Sequence, residues 1–305
     1  MPQLSRRHFL QGATATGALA CLSTRAIASR QIGSATITSI SDGHLVLPRA
    51  FAIGPAPQAE ADAILAAHNL TAATVEPRCN VTLYQDGTNT VLFDVGAGPD
   101  FMPTAGQLLD SLAAANVAPE DVTHVCFTHA HPDHLWGLID DFDEPVFANA
   151  RHLMGRTEWD YWWAEDTINT IGESRQLFAA GARRRLQMTE DLFEHFNDGD
   201  EVISGIAAVA THGHTPGHMS FEVRAGSDAL LIIGDAIANH HIAFAHPDWA
   251  GGSDQIPDQA IASRRALFDR ITADDLAVLG FHFPGSGMGR VSRSAQGFVF
   301  EETAT

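Results

Sequence analysis

The sequence predicts an α/β protein folded as a single-domain, four-layer αββα sandwich. Two observations predict it. The strand-like stretches cluster in two halves, one before about residue 128 and one from about residue 201, and helical patterning follows in each, so two sheets packed face to face with helices outside is the simplest burial solution. In both halves the apolar runs end in loops rich in histidine and aspartate, which places chemistry at strand ends. With 305 residues, no linker and no low-complexity run, one large domain accounts for the chain better than two small ones.

Residues 1–28 read as a twin-arginine export signal. Ser5-Arg6-Arg7-His8-Phe9-Leu10 precedes a mildly apolar stretch from Gly12 to Leu22 and the small-residue site Ala26-Ile27-Ala28. The apolar part is too short to anchor in a bilayer, so removal near Ala28 is expected, leaving residues 29–305 as the mature domain, periplasmic or secreted, with no membrane span. A lipobox cut before Cys21 is the rival reading, weakened by Ala18 where leucine is usual.

From Ala35 to Ile40 the pattern is strand-like, with a turn expected at Asp42-Gly43 and a second short strand over Leu45-Val46-Leu47, ended by Pro48. Ala59 to His68 reads as a short helix. Val81 to Tyr84 and Thr90 to Asp94 flank the turn Asp86-Gly87-Thr88-Asn89 and form a hairpin. Thr104 to Ala115 has helical spacing through Leu108, Leu109 and Leu112; Val122 to Phe127 is an apolar strand; Arg156 to Ala180 looks helical. The second half offers strands at 201–203, 207–210, 220–223, 229–233 and 276–280, with a helix over 256–271.

The chain is organised around Thr128-His129-Ala130-His131-Pro132-Asp133-His134, because three histidines and a carboxylate in six positions have few uses other than holding metal. His129 and His131 are two apart, so a strand end presents both imidazoles to one side. Pro132 stops the extension, and Asp133, expected as a helix N-cap, and His134 open the next element toward a neighbouring location. Two adjacent metal positions are therefore expected. A histidine-rich surface loop is the plain alternative, and the preceding apolar strand speaks against it.

His-Ala-His-Pro-Asp-His matches the H-x-H-x-D-H signature of metallo-β-lactamase-fold hydrolases, which the chain resembles from about Ile32 to Phe300. His214, Asp235 and His282 fall in the order that family uses for its remaining ligands, and within it the chain looks most like the secreted methyl parathion hydrolase branch, which includes lactonases and aryl esterases. The resemblance implies that His129, His131 and His214 hold one metal ion, that Asp133, His134 and His282 hold the other, and that Asp235 bridges both. Asp133 and Asp235 are then the catalytic carboxylates. Nitrogen and oxygen ligands suit zinc best, with iron, manganese and cobalt also compatible, and two close divalent ions are built for hydrolysis without a serine or cysteine nucleophile. The resemblance also implies Phe101 and Trp162 at the substrate pocket. His218 is the best candidate to support a ligand from behind, and Asp94 either orients a ligand histidine or only caps the Gly96-Ala97-Gly98 turn.

Composition narrows the function further. Losing Arg6, Arg7 and Arg25 with the leader leaves 15 basic against 37 acidic residues, a formal charge of −22, so nucleic acid is an unsuitable partner. No lysine occurs, which excludes Schiff-base chemistry and Walker-type phosphate loops. Only Cys79 and Cys126 remain in the mature chain, too few for a disulfide framework. A β-lactamase is disfavoured by Asp235, a position not held by aspartate in the familiar zinc β-lactamases; a glutathione-thioester hydrolase is disfavoured by the missing lysines and the export signal. A non-catalytic metal protein is disfavoured because seven protein ligands on two ions leave coordination open for water. Expected partners are a neutral small-molecule ester and the twin-arginine export machinery, with a homodimer left open.

Overall fold

A computed structural model describes residues 28–303, so the expected export signal, apart from Ala28, lies outside the described residues. Sixteen strands are described. β1 (Ser29–Ile32), β2 (Ala35–His44), β3 (Leu47–Pro48), β4 (Thr74–Val75), β5 (Arg78–Gln85), β6 (Thr90–Phe93), β7 (His124–Phe127), β8 (Arg151–Gly155) and β9 (Phe193–Phe196) make up the first half. The second half holds β10 (Glu201–Ile203), β11 (Ile206–Ala210), β12 (Met219–Ala225), β13 (Asp228–Gly234), β14 (Ala277–Gly280), β15 (Met288–Ser294) and β16 (Gly297–Glu302). The first sheet runs β1-β2-β5-β6-β7-β8-β9 and the second β10-β11-β12-β13-β14-β15-β16, while β3 and β4 pair apart from both.

The period-2 alternation of strands sorts side chains into layers. Val91, Phe93, Cys126 and Leu153 of the first sheet meet Phe221, Leu230, Ile232 and Leu279 of the second in the central core, where the rings of Phe93 and Phe221 lie 5.0 Å apart. Leu92, Val125 and Phe127 face the other way and are covered by Leu112, Leu135, Trp159 and Leu186. Leu231, Ile233 and Val278 are covered by Leu267, Phe268 and Ile271 of the helix Pro257–Ala273. The result is the αββα sandwich.

Strands β6 to β9 are parallel, as are β13 and β14. Asp94, the His129–His134 stretch and the helix bearing Glu158 leave the C-terminal ends of β6, β7 and β8, and Asp235 and His282 follow β13 and β14. Ligand-type residues thus gather at one edge of both sheets, where parallel strands open onto loops.

Two local expectations are corrected. Asp42-Gly43 does not reverse the chain: β2 continues through it to His44 with a register shift against β5, and the buried Asp42 carboxylate accepts from the N–H groups of Ala97 (2.9 Å), Gly106 (3.1 Å) and Leu108 (2.8 Å). The helix expected over 156–180 is broken into Arg156–Trp163, Thr167–Thr170 and Gln176–Met188, the interruption including Gly172 at φ 95°. Arg183 and Arg184 pair with Glu165 and Asp143 at the surface, but Arg185 is buried, stacked 4.4 Å over Trp136 and bonded to its carbonyl at 3.0 Å.

Asp42→Ala leaves three backbone donors without an acceptor; at about 1–3 kcal/mol per orphaned buried donor, we expect a loss of about 3 kcal/mol or more of unfolding free energy, and a loss under about 1 kcal/mol would show that those amides find other partners. Denaturant titration reads it.

Candidate metal centre

β7 is buried to its end at Phe127, and the chain then turns through Thr128 to His134. Pro132 opens a one-turn helix, Pro132–Leu135, whose N-cap is His131, so Asp133 lies inside the first turn instead of capping it. Its side chain caps nothing and turns to the site.

Three imidazole nitrogens converge. His131 Nδ1 lies 3.0 Å from His129 Nε2 and 2.9 Å from His214 Nε2. One proton can bridge only one such pair, so a further lone pair is left facing another across a buried gap. Beside them, Asp133 Oδ2 lies 3.2 Å from His282 Nε2 and 3.5 Å from His134 Nε2. Asp235 stands between the two groups, with Oδ1 3.4 Å from His134 Nε2 and Oδ2 at 3.4 Å from His214 Nε2 and 3.3 Å from His282 Nε2. Asp133 Oδ2, His134 Nε2 and Asp235 Oδ1 are buried without a hydrogen-bond partner. Nitrogen and oxygen atoms crowded this closely, several unpaired, fit divalent cations of the zinc class. Cys79 also comes within reach of Asp133 and His282, where burial and the Asp133 carboxylate push its thiol well above the ordinary range.

The electrostatics divide the site. Burial, reinforced by neighbouring imidazoles, holds His129 and His131 well below the usual histidine range, so their lone pairs stay free. Burial acts in the same direction on His134 and His282, but carboxylates outweigh it: Asp133 and Asp235 raise His134 well above the usual range, and Asp235 and Asp133 bring His282 up to about 10. Positive charge is demanded at this end.

Each ligand-type ring is held from behind. His134 Nδ1 lies 2.7 Å from Asp94 Oδ2, and Thr128 N–H and Oγ1–H each donate to Asp94 at 2.8 Å. The Gly96-Ala97-Gly98 turn is capped by Asp42 instead. Asp94 is placed there at φ 67°, a left-handed conformation uncommon outside glycine. His282 Nδ1 donates to Arg78 O at 2.6 Å, His129 Nδ1 lies 3.0 Å from Thr128 Oγ1, and His214 Nδ1 lies 3.5 Å from Asp254 Oδ1, which is itself anchored by Gly251 N–H and Arg264. Gln255 bridges Tyr161 OH and His131 Nε2, each at 2.9 Å. His218 supports the backbone: its Nε2 accepts from Asp235 N–H at 3.0 Å and its Nδ1 meets Thr211 Oγ1 at 2.8 Å. Gly234 makes this approach feasible, since a Cβ there would sit 2.7 Å from that ring.

A cavity of about 380 Å³ opens above these groups, walled by Leu45, Leu47, Phe51, Phe101, Phe178 and Trp249. Phe101 is at the wall, but Trp162 is not. Its ring is fully buried behind His131 and its indole N–H is committed to Glu158 at 2.6 Å; Phe178, 5.9 Å from the His131 ring, takes the wall position. His240 and His241 border the cavity, and His241 caps Ile242 N–H. Arg78 and Arg175 also line it, and among the described residues neither has a carboxylate at ion-pair distance.

Sequence reasoning missed Asp254, Gln255, Phe178, Arg175 and Glu158. Their site partners are tens of residues away in the chain, so no spacing signals them. Glu158 accepts from Ala130 N–H, Trp162 Nε1–H, Thr215 Oγ1–H and Gly217 N–H.

Comparison with known proteins gives a consistent picture. Residues 75–281 match the metallo-beta-lactamase superfamily, and residues 3–23 match the twin-arginine translocation signal. The chain is 31% identical over 132 residues, 42% of its length, to N-acyl homoserine lactonase AttM of Agrobacterium fabrum, and 34% identical over 156 residues, 50% of its length, to metallo-beta-lactamase domain-containing protein 1 of Xenopus laevis. These alignments span about half of those relatives, 46% and 52%. Two solved structures share its fold at 24% identity, each over 92% of this chain and 98% of theirs: AidC, a dizinc quorum-quenching lactonase, with TM-score 0.86, and the hydrolase AbOPH, with 0.85. Among the described residues no helix is long and apolar enough to cross a membrane.

Asp94→Asn is expected to weaken retention of divalent ions about 10–100-fold, as loss of a partner behind a ligand histidine does. Chelator competition reads it, and unchanged retention would mean that Asp94 does not orient His134.

Proposed function

This chain belongs to the metallo-beta-lactamase superfamily, and from that premise we propose that it is an exported hydrolase of neutral, apolar esters that works with two divalent metal ions, most suitably zinc, and that lactones are its preferred substrates. The observation that carries the reading is Asp235, one carboxylate within 3.4 Å of His214 on one side and of His134 and His282 on the other, beneath an apolar cavity. The lactonases among its relatives support the lactone preference. In this reading His129, His131 and His214 would hold one ion, Asp133, His134 and His282 would hold the other, and Asp235 would serve both.

When bound, such ions activate water, polarise the attacked carbonyl or phosphoryl oxygen and steady the leaving oxygen. The chain supplies the rest. Asp133, whose carboxylate lines the cavity, is placed to accept a proton from the attacking water. Phe101, Phe178 and Trp249 bury the apolar part of the ester and keep bulk water out. Arg175, held by its bond to Gly252 O at 3.1 Å, can donate to a carbonyl oxygen of the substrate. Among the described residues no strong general acid lines the cavity, so activated phenols and strained lactones leave more readily than amines. An anion would meet Asp133, Asp235 and Asp254 in the cavity and a chain of formal charge −19.

Comparing kcat/KM for a γ-lactone, 4-nitrophenyl butyrate, methyl paraoxon, nitrocefin and lactoylglutathione tests the substrate class. The lactone and the aryl ester are expected to exceed nitrocefin and the thioester by at least tenfold, a difference of about 1.4 kcal/mol, with the activity lost in Asp235→Ala. A tenfold advantage for nitrocefin or the thioester overturns the reading.

A further inference from the structure

The helix Arg156–Trp163 leaves β8 and drives its first turn against the second histidine loop. The contact is so close that a Cβ on Gly217 would fall 2.1 Å from Glu158 N. Glu158, in that turn, reaches inward and is fully buried. Its Oε1 accepts from Ala130 N–H at 2.9 Å and Trp162 Nε1–H at 2.6 Å; its Oε2 accepts from Thr215 Oγ1–H at 2.7 Å and Gly217 N–H at 3.0 Å. Four donors saturate the carboxylate, and the helix N-terminus favours negative charge there. No basic side chain pairs with it among the described residues. The partners' places in the chain are informative: Ala130 lies between His129 and His131, and Thr215 follows His214. One oxygen grips the first histidine loop and the other grips the second.

We propose that Glu158 is the positioning residue that sets the spacing of the two histidine loops, and so brings His131 and His214 together on one divalent ion. The inference rests on the two-metal reading above. It assigns Glu158 to one half of the site only, because neither oxygen touches Asp133, His134, His282 or their neighbours. Glu158→Gln keeps the volume but exchanges an acceptor oxygen for a donor. Its best fit turns the amide nitrogen toward the Thr215 hydroxyl, which can rotate to accept, and leaves Gly217 N–H facing a donor. The His214 loop then loosens.

The test is a stepwise chelator titration of the zinc-loaded protein, with cobalt(II) absorption spectra of the same variants. In Glu158→Gln we expect one ion, that of His129, His131 and His214, to be held about 10–100-fold less tightly, as loss of support behind a ligand shell does, while the second ion stays near its wild-type affinity. The cobalt spectrum should change in the band of the weakened ion. Should Glu158→Gln fail to fold, Thr215→Val removes a single donor and should show the same selective loss at smaller size. Equal retention of both ions in whichever of the two variants folds, or equal weakening of both, overturns the inference. Wild-type protein that retains no ion removes the two-metal reading and this inference together, whereas two ions in wild type with unchanged affinities in the variant removes only the role of Glu158.

Discussion

Imidazole nitrogens packed 2.9–3.0 Å apart at the buried floor of the cavity are the constraint on which the rest of the structure depends. Left to themselves, lone pairs at that distance repel, and protons relieve one pair at a time. The nearby carboxylates carry the opposite problem, since Asp133 and Asp235 are buried without enough donors to satisfy them. A shared cation answers both. Neither the three histidines nor the two aspartates form a stable buried cluster alone, and Asp235 is where the two deficits meet.

The fold supplies the stiffness this arrangement needs. Two sheets packed on Phe93 and Phe221 bring strand ends from both halves to one edge, so the segments that carry the site residues leave from fixed positions. A second tier of buried polar groups then fixes each ring: Asp94 behind His134, Asp254 behind His214, Gln255 against His131 and the Arg78 carbonyl under His282. Such groups are costly in an apolar core. They are tolerated here because nearly every lone pair meets a donor, as at Asp42 and Glu158, where backbone N–H groups supply most of the compensation. Backbone strain is held next to the site at Asp94, a non-glycine residue at φ 67°.

What could be read from the sequence follows from the range of each signal. The H-x-H-x-D-H stretch is local, and strand alternation is local, so the ligand-type cluster and the sandwich were both legible. Resemblance extended this to His214, Asp235 and His282, which spacing alone does not connect. The supporting tier was not legible, because Glu158 and Ala130, or Asp254 and His214, come together only through the packing of distant segments. Trp162 shows the limit of the resemblance, which implied a pocket position, whereas its ring packs behind His131 with its N–H bonded to Glu158. Tyr161 turned toward Gln255, Trp163 stacked on Trp159, and Phe178 from a later helix reached the cavity instead. The turn expected at Asp42-Gly43 failed for a related reason, since the pair makes a bend inside β2 whose carboxylate is used 55–66 residues further on.

The central claim is that this edge of the sandwich holds two divalent ions on seven side chains. Elemental analysis of purified, active protein tests it most directly. The account requires close to two equivalents of divalent metal per chain, falling together with activity on chelation and returning on readdition. Full activity at one equivalent, or with none, would contradict it.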